Sequence, residues 1–225
     1  MSRKVLTQCQ NAGRTGGGDM PKGSPELTAA RKEEIMDACE QLYRNISFKE
    51  ITLKEIGEVT SFTRTSIYNY FQTKEEIFLG LFQREYERWC KALEDILNSR
   101  EEPSREQLVE RLAGTLADRE LMLKLLAVNL YDMEENSRMD RLVEFKKTYG
   151  RSVELLEEIF ARFCPEWDDN TRHSIVISSL QFFHGLYPYA HHTDKQEEAM
   201  KQAGVLPVQM TVREFALAGL SRLLA

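Results

Sequence analysis

Residues 63–76, TRTSIYNYFQTKEE, crowd hydrogen-bonding groups onto one short segment. They supply the hydroxyls of Thr63, Thr65 and Ser66, the guanidinium of Arg64, the carboxamide of Asn69 and the phenols of Tyr68 and Tyr70, followed by Lys74 and two glutamates. On a helix turning by about 100° per residue, Arg64, Thr65, Tyr68 and Asn69 share one side while Ile67 and Phe71 share the other. The DNA major groove admits a helix and displays donors, acceptors and thymine methyls, so arginine, asparagine and hydroxyl groups on one exposed face form a base-reading set. Lys74 and the amides that open the next helix are equipped to hold phosphate. A solvated helix face with ordinary caps uses the same residue types, so the flanking elements have to decide.

Other chemistries find less support. Cys9, Cys39, Cys90 and Cys164 are scattered with no C-x-x-C pair, which favours reduced, mostly buried thiols over zinc or redox work. His173, His184, His191 and His192 form no i, i+4 ligand pair, and no metal site or cofactor is expected. Phosphate-cradling glycine motifs and the G-x-S-x-G elbow are absent. The net charge of -6 conceals an asymmetry: residues 1–74 hold 11 Lys and Arg against 9 Asp and Glu, leaving 19 against 27 for residues 75–225. An anionic partner is therefore expected at the N-terminal end, with the acidic remainder in solvent.

Helical periodicity dominates, and 42% hydrophobic residues suffice for a sizeable core. Residues 1–26, rich in glycine and polar residues, are expected to be a disordered arm, and no run approaches the roughly 18 apolar residues of a membrane span. A cytoplasmic protein without membrane contact is the reading. The first helix is expected over 26–45. Thr52 with Glu55 has capping-box spacing, with Ile51 and Ile56 in the staple positions, ahead of a short helix over 53–59. Thr63 can cap a second short helix over 64–70, and Thr73 with Glu76 opens a long helix to about Asn98. Two short helices on a first one read as a helix-turn-helix.

These residues resemble the tetracycline-repressor (TetR) family of bacterial transcriptional regulators, from about Arg31 to Phe82, through TSFTRTSIYNYFQTKEEIF in particular. The resemblance implies an all-α chain: a helix-turn-helix DNA-binding domain over 27–74, joined by a long fourth helix to a helical effector-binding and dimerisation domain over 75–225. It makes Thr63 to Tyr70 the recognition helix, with Thr52 and Lys54 near the DNA backbone, Arg64, Thr65, Ser66 and Asn69 toward bases, Tyr68 and Tyr70 near phosphates and the groove edge, and Lys74 at a phosphate. Where members usually carry glycine in the turn, this chain has Ser61 after Thr60, and strain is expected there.

Beyond residue 100, helices are expected over 104–117, 120–133, 138–163, 170–190 and 211–224, with Pro188 ending or bending its helix. The resemblance implies a homodimer through about 171–190 and 211–224, a double-stranded operator as partner, and a small-molecule effector. Tyr86, Trp89, Asn129, Tyr131, Tyr149, His184 and Tyr187, amphipathic or polar within apolar stripes, are the candidates for its pocket. A ligand-released repressor is the leading reading. A helical protein-interaction module and a small helical enzyme are the alternatives.

Overall fold

The computed structural model describes residues 24–206 and 208–225; most of the expected N-terminal arm thus lies outside the described residues. Those residues form eleven helices and no strand: α1 (Pro25–Tyr43), α2 (Leu53–Glu58), α3 (Arg64–Ile67), α4 (Lys74–Leu97), α5 (Arg105–Ala117), α6 (Glu120–Val128), α7 (Leu130–Glu135), α8 (Met139–Phe163), α9 (Asp169–Ala190), α10 (Asp194–Gln202) and α11 (Val212–Leu223). The all-α expectation holds.

Polar caps start these helices where the sequence places them. Ser24, Thr52, Thr63, Thr73, Ser104, Asp168, Thr193 and Thr211 each accept a backbone N–H in the first turn that follows. Apolar spacing then fixes which side is buried. In α4, Ile77, Phe78, Leu81, Phe82, Trp89 and Leu93 are among the buried positions, and the helix packs most extensively on α8. The two run in the same direction, as the order of contacts shows: Glu76 with Arg138, Phe82 with Phe145, Tyr86 with Tyr149, and Glu94 with Arg151. On the other side α11 lies across α5 and α9, and α6 packs on α9. Buried residues from Ile35 to Leu224 form one continuous cluster, so the first three helices and the rest share a core through α4.

Three expectations need correction. The helix expected over 120–133 is broken at Asn129, whose backbone leaves helical geometry (φ -128°, ψ 6°). Its buried carboxamide oxygen accepts a hydrogen bond from Tyr43 Oη at 2.6 Å, which attaches the break to α1. The segment expected as helix over 64–70 is regular only to Ile67 and finishes in turns, with Tyr70 and Phe71 N–H both bonded to the Ile67 carbonyl. α9 does end where expected, at Ala190, two residues after Pro188. An additional helix, α10, follows a capping box between Thr193 and Gln196, and it buries no residue, so no apolar stripe announced it.

The start of α4 is held by a buried charge. Glu76, whose side chain is fully buried, accepts from Arg138 Nε at 2.6 Å, Arg138 Nη2 at 3.1 Å, the Arg138 amide at 3.2 Å and the Gln72 amide at 2.8 Å. Thr73 Oγ1 adds a bond to the Asn136 carbonyl at 3.0 Å. The capping box expected from Thr73 and Glu76 is thus only half made: Glu76 N–H reaches Thr73, but the carboxylate turns to the α7–α8 loop. Burial pushes the Glu76 pKa up, and the hydrogen bonds from Arg138 and Gln72 pull it further down, leaving it below its ordinary 4.5.

Removing the arginine leaves this carboxylate buried without its main partner. Arg138→Ala is expected to cost about 2–4 kcal/mol in urea unfolding at neutral pH. Because the folded-state pKa of Glu76 lies below the unfolded value of about 4.5, its stabilising contribution is complete above that pH and is lost on acidification through the folded value. The wild-type and variant unfolding midpoints should therefore converge below pH 4.5. A constant difference down to the acid limit would remove the ion pair from the explanation.

Candidate nucleic-acid interface

The α2–turn–α3 segment is built from short helices that cannot stand alone, so caps and buried anchors define its shape. Thr52 and Glu55 form a reciprocal capping box on α2, and both Thr52 and Lys54 are exposed. In the turn, Thr60 Oγ1 accepts from the Phe62 amide at 3.2 Å, and a Cβ on Gly57 would stand 3.3 Å from the Phe62 carbonyl oxygen. That approach is tight, so a side chain at position 57 would make the Phe62 backbone give by a few tenths of an ångström. Thr63 then caps α3 through the Ser66 amide at 3.2 Å, with its hydroxyl 2.9 Å from Ser66 Oγ.

Ile67 and Phe71 are buried and anchor α3 in the core, whereas Arg64, Thr65, Tyr68 and Asn69 are exposed on its opposite side. The sequence-derived partition of this helix is the one found. Arg64 Nη2 donates to Tyr68 Oη at 3.2 Å, with the guanidinium carbon 5.8 Å from the ring centroid, so the pair is already aligned along the exposed row. Ser66 and Tyr70 are half-buried at its margin, and Thr63 is exposed at its start.

Two features depart from expectation. Ser61 is not strained: no non-glycine residue among the described ones has a positive φ. Instead its amide and hydroxyl both donate to Glu34 Oε1 of α1, at 3.0 and 2.7 Å. The Lys74 ammonium does not extend from the surface toward a phosphate. It donates to the carbonyls of Phe48 and Ile51 at 2.7 and 3.0 Å and lies 4.4 Å from the centroid of the Phe48 ring, tying α4 to the segment before α2.

The seven effector-pocket candidates fall into separate places. Tyr86, Trp89 and Tyr149 come together, with ring centroids of Tyr86 5.8 Å from Trp89 and 5.9 Å from Tyr149, but Tyr86 and Trp89 are buried in contact with Phe82, Phe145 and Phe183. The Trp89 indole N–H donates to Thr115 Oγ1 at 3.0 Å. Asn129 is engaged by Tyr43, and Tyr187 stacks on His191 at 4.3 Å. Tyr131 is 89% exposed, and His184 is exposed on α9. An open cleft of about 830 Å³ lies elsewhere, between the end of α9, α10 and the start of α11, with Glu120, His191, His192, Lys201, Leu206 and Met210 among its walls. The sequence reading passed over it because α10 was not foreseen.

The family model for the tetracyclin repressor-like C-terminal domain matches residues 83–224. The chain belongs to the TetR family. The HTH-type transcriptional repressor Rv1474c of Mycobacterium tuberculosis is 26% identical over 69 residues, 31% of this chain and 37% of that protein. The HTH-type regulator YfiR of Bacillus subtilis is 30% identical over 63 residues, 28% of this chain and 31% of the relative. The matches thus span about a third of each of these curated relatives. Among solved structures, the TetR-family regulator PfmR of Thermus thermophilus superposes with a TM-score of 0.59 at 14% identity, covering 84% of this chain and 96% of that one. The fatty acid degradation regulator FadR of Bacillus halodurans gives 0.59 at 15%, covering 87% and 95%. Thermus thermophilus FadR, solved with lauroyl-CoA, gives 0.54 at 20%, covering 86% and 93%. At these identities the likeness is one of fold. It is the fold of TetR regulators, all-α throughout.

The position of the Lys74 ammonium separates two roles for it. Lys74→Ala is expected to destabilise the fold by about 1–3 kcal/mol through the two abandoned carbonyls. It should leave the slope of log affinity against log salt for duplex DNA unchanged. A slope smaller by about one per lost phosphate contact would return Lys74 to the backbone-contacting set.

Proposed function

We propose that this chain is a DNA-binding transcriptional repressor that acts as a homodimer on a palindromic operator and is released by a small-molecule effector. The observation that carries the reading is the α3 row itself: Arg64, Thr65, Tyr68 and Asn69 stand exposed while Ile67 and Phe71 anchor the same short helix in the core. Arg64 and Asn69 suit guanine and adenine edges, and Thr65 and Ser66 suit hydroxyl or methyl contacts. Thr52, Lys54, Thr63 and Tyr70 flank the row and, together with Tyr68 on it, fit the phosphate backbone. In this reading residues 27–74 form the reading head and residues 75–225 the regulatory body.

One α3 reads only a few base pairs, so useful affinity calls for two. The outer faces of α9 and α11 support a second copy as partner. Phe182, Gly185, Leu186, Tyr189 and Phe215 line an apolar groove of about 260 Å³, beside which Tyr189 is 66% exposed. An effector acting on the body has a route to α3 through α4, which spans 24 residues, about 36 Å at 1.5 Å per residue. Tyr86, Trp89 and Tyr149 lie along that helix and α8, and a ligand entering among them has to displace packed aromatic rings and thereby move α4. The acyl-CoA held by one structural relative supports an amphipathic effector. Against the enzyme alternative, the lowered carboxylate pKa values at Glu50, Glu55, Glu106, Asp168 and Glu214 arise from hydrogen bonds in turns and helix caps rather than in a shared cleft.

Light scattering at micromolar concentration is expected to give twice the 26.1 kDa chain mass, and a monomer both free and with DNA would overturn the dimer. On a duplex selected from genomic fragments, Asn69→Ala should lose about 1–3 kcal/mol of binding while binding to scrambled DNA is unchanged. Equal losses on both duplexes would move Asn69 from base reading to backbone contact.

A further inference from the structure

The recognition segment is a single turn of helix followed by turns, and it has polar ties to α1 at both of its ends. Before α3, Glu34 Oε1 accepts both the amide and the hydroxyl of Ser61, at 3.0 and 2.7 Å. After α3, Arg31 Nη1 donates to Tyr70 Oη at 3.0 Å. Arg31 and Glu34 are three residues apart and so lie on one face of α1. Phe62 and Tyr70 meet edge to face at 5.9 Å, and the Arg31 guanidinium carbon lies 5.8 Å from the centroid of the Phe62 ring. An open cleft of about 440 Å³ separates this face of α1 from Asn69 and Ser66, so among the described residues no side-chain packing fills the space between them.

These observations bear on what fixes the angle of α3. Ile67 and Phe71 anchor one side of the segment, which sets its depth in the core but leaves rotation about that line open. Two hydrogen-bonded ties at opposite ends restrict that rotation. We propose that Glu34 and Ser61, with Arg31 and Tyr70 at the other end, are positioning residues that orient the recognition segment for base reading, Glu34 acting through Ser61 without touching a base. This rests on the DNA-reading function proposed above. It also gives serine a purpose in the turn: its hydroxyl supplies a second donor for Glu34 that glycine lacks. The hydrogen bonds from Ser61 hold the Glu34 carboxyl below its ordinary pKa, so the acceptor is charged at neutral pH. A carboxylate at the edge of a phosphate-facing surface would repel DNA, which makes its retention there costly unless its position is used.

Charge and geometry are separated by comparing Glu34→Gln with Glu34→Ala. The amide oxygen of glutamine can still accept from Ser61, whereas both variants lose the charge. Affinities of wild type and variants are measured for the tightest duplex selected from a random-sequence library and for a scrambled duplex of the same length. Glu34→Ala is expected to lower the selected-to-scrambled ratio about tenfold, while Glu34→Gln keeps most of it. Ser61→Ala should lower the ratio less than Glu34→Ala, and the double variant no more than Glu34→Ala alone, because both changes break the same tie. Melting temperatures report that the exposed substitutions leave the fold intact. An unchanged ratio in Glu34→Ala, with wild type still selective, overturns the positioning role alone. So does an equal rise in affinity for both duplexes in Gln and Ala variants, which would reduce Glu34 to a repelling charge. A wild type that prefers no duplex at low salt overturns the DNA-reading function, and the positioning role with it.

Discussion

A carboxylate taken out of water must find its hydrogen bonds inside the protein, and Glu76 finds all of its own at one junction. It lies in the first turn of α4, is fully buried, and draws Arg138 and two backbone amides around itself. Because an unpaired buried charge costs several kcal/mol, roughly 3–5 when one partner of a pair is removed, the α7–α8 loop and the start of α4 move together or not at all. Position at the start of α4 then passes to Phe71 and Ile67, the two anchors of α3, which are buried in the same continuous core. The exposed row on α3 is thus placed, in the end, by a buried carboxylate behind it and the partly exposed Arg138 that pairs with it.

The first helix completes the frame. Arg84 of α4, largely buried, is met by Glu33, Asp37 and Glu40 from successive turns of α1, with N–O distances of 2.8, 2.6 and 2.9 Å. Burial and the pairing act on this guanidinium in opposite senses, and the acceptors win, raising its pKa. At the far end of α1, Tyr43 donates to Asn129, and the Lys124 ammonium donates to the Tyr43 carbonyl at 3.0 Å and lies 3.8 Å from its ring centroid. The segment from Lys124 to Arg138 therefore holds both α1 and α4. Under the proposed function, a ligand that shifted α6 and α7 would act on the first three helices at two points, and coupling through such a connection is reciprocal between the sites it joins.

Much of this was legible in the sequence, and the parts that were not share a physical reason. Local signals were read correctly: the cap residues Thr52, Thr63, Thr73 and Ser104 open the helices assigned to them, and the partition of Ile67 and Phe71 from Arg64, Thr65, Tyr68 and Asn69 follows from spacing alone. Long-range polar contacts were not legible. Lys74 and Glu76 carry ordinary helix-start chemistry, and nothing near them in sequence says that one turns to the Phe48 carbonyl and the other to Arg138, 62 residues away. Asn129 read as a polar residue in an apolar stripe, the pattern of a pocket lining, but the same pattern marks a buried hydrogen bond to Tyr43. Tyr131, just after the break at Asn129 on α7, stands with its ring in solvent. α10 left no trace in the apolar period because it buries nothing; only Thr193 and Gln196 at capping-box spacing announced it.

Hydroxyl-radical footprinting of the selected duplex bound by the wild-type protein tests DNA reading by paired α3 segments most directly. Two protected half-sites are expected, related by a twofold axis and centred about 34–36 Å apart or slightly more along the duplex. A single protected patch, or uniform protection that does not depend on sequence, would contradict it.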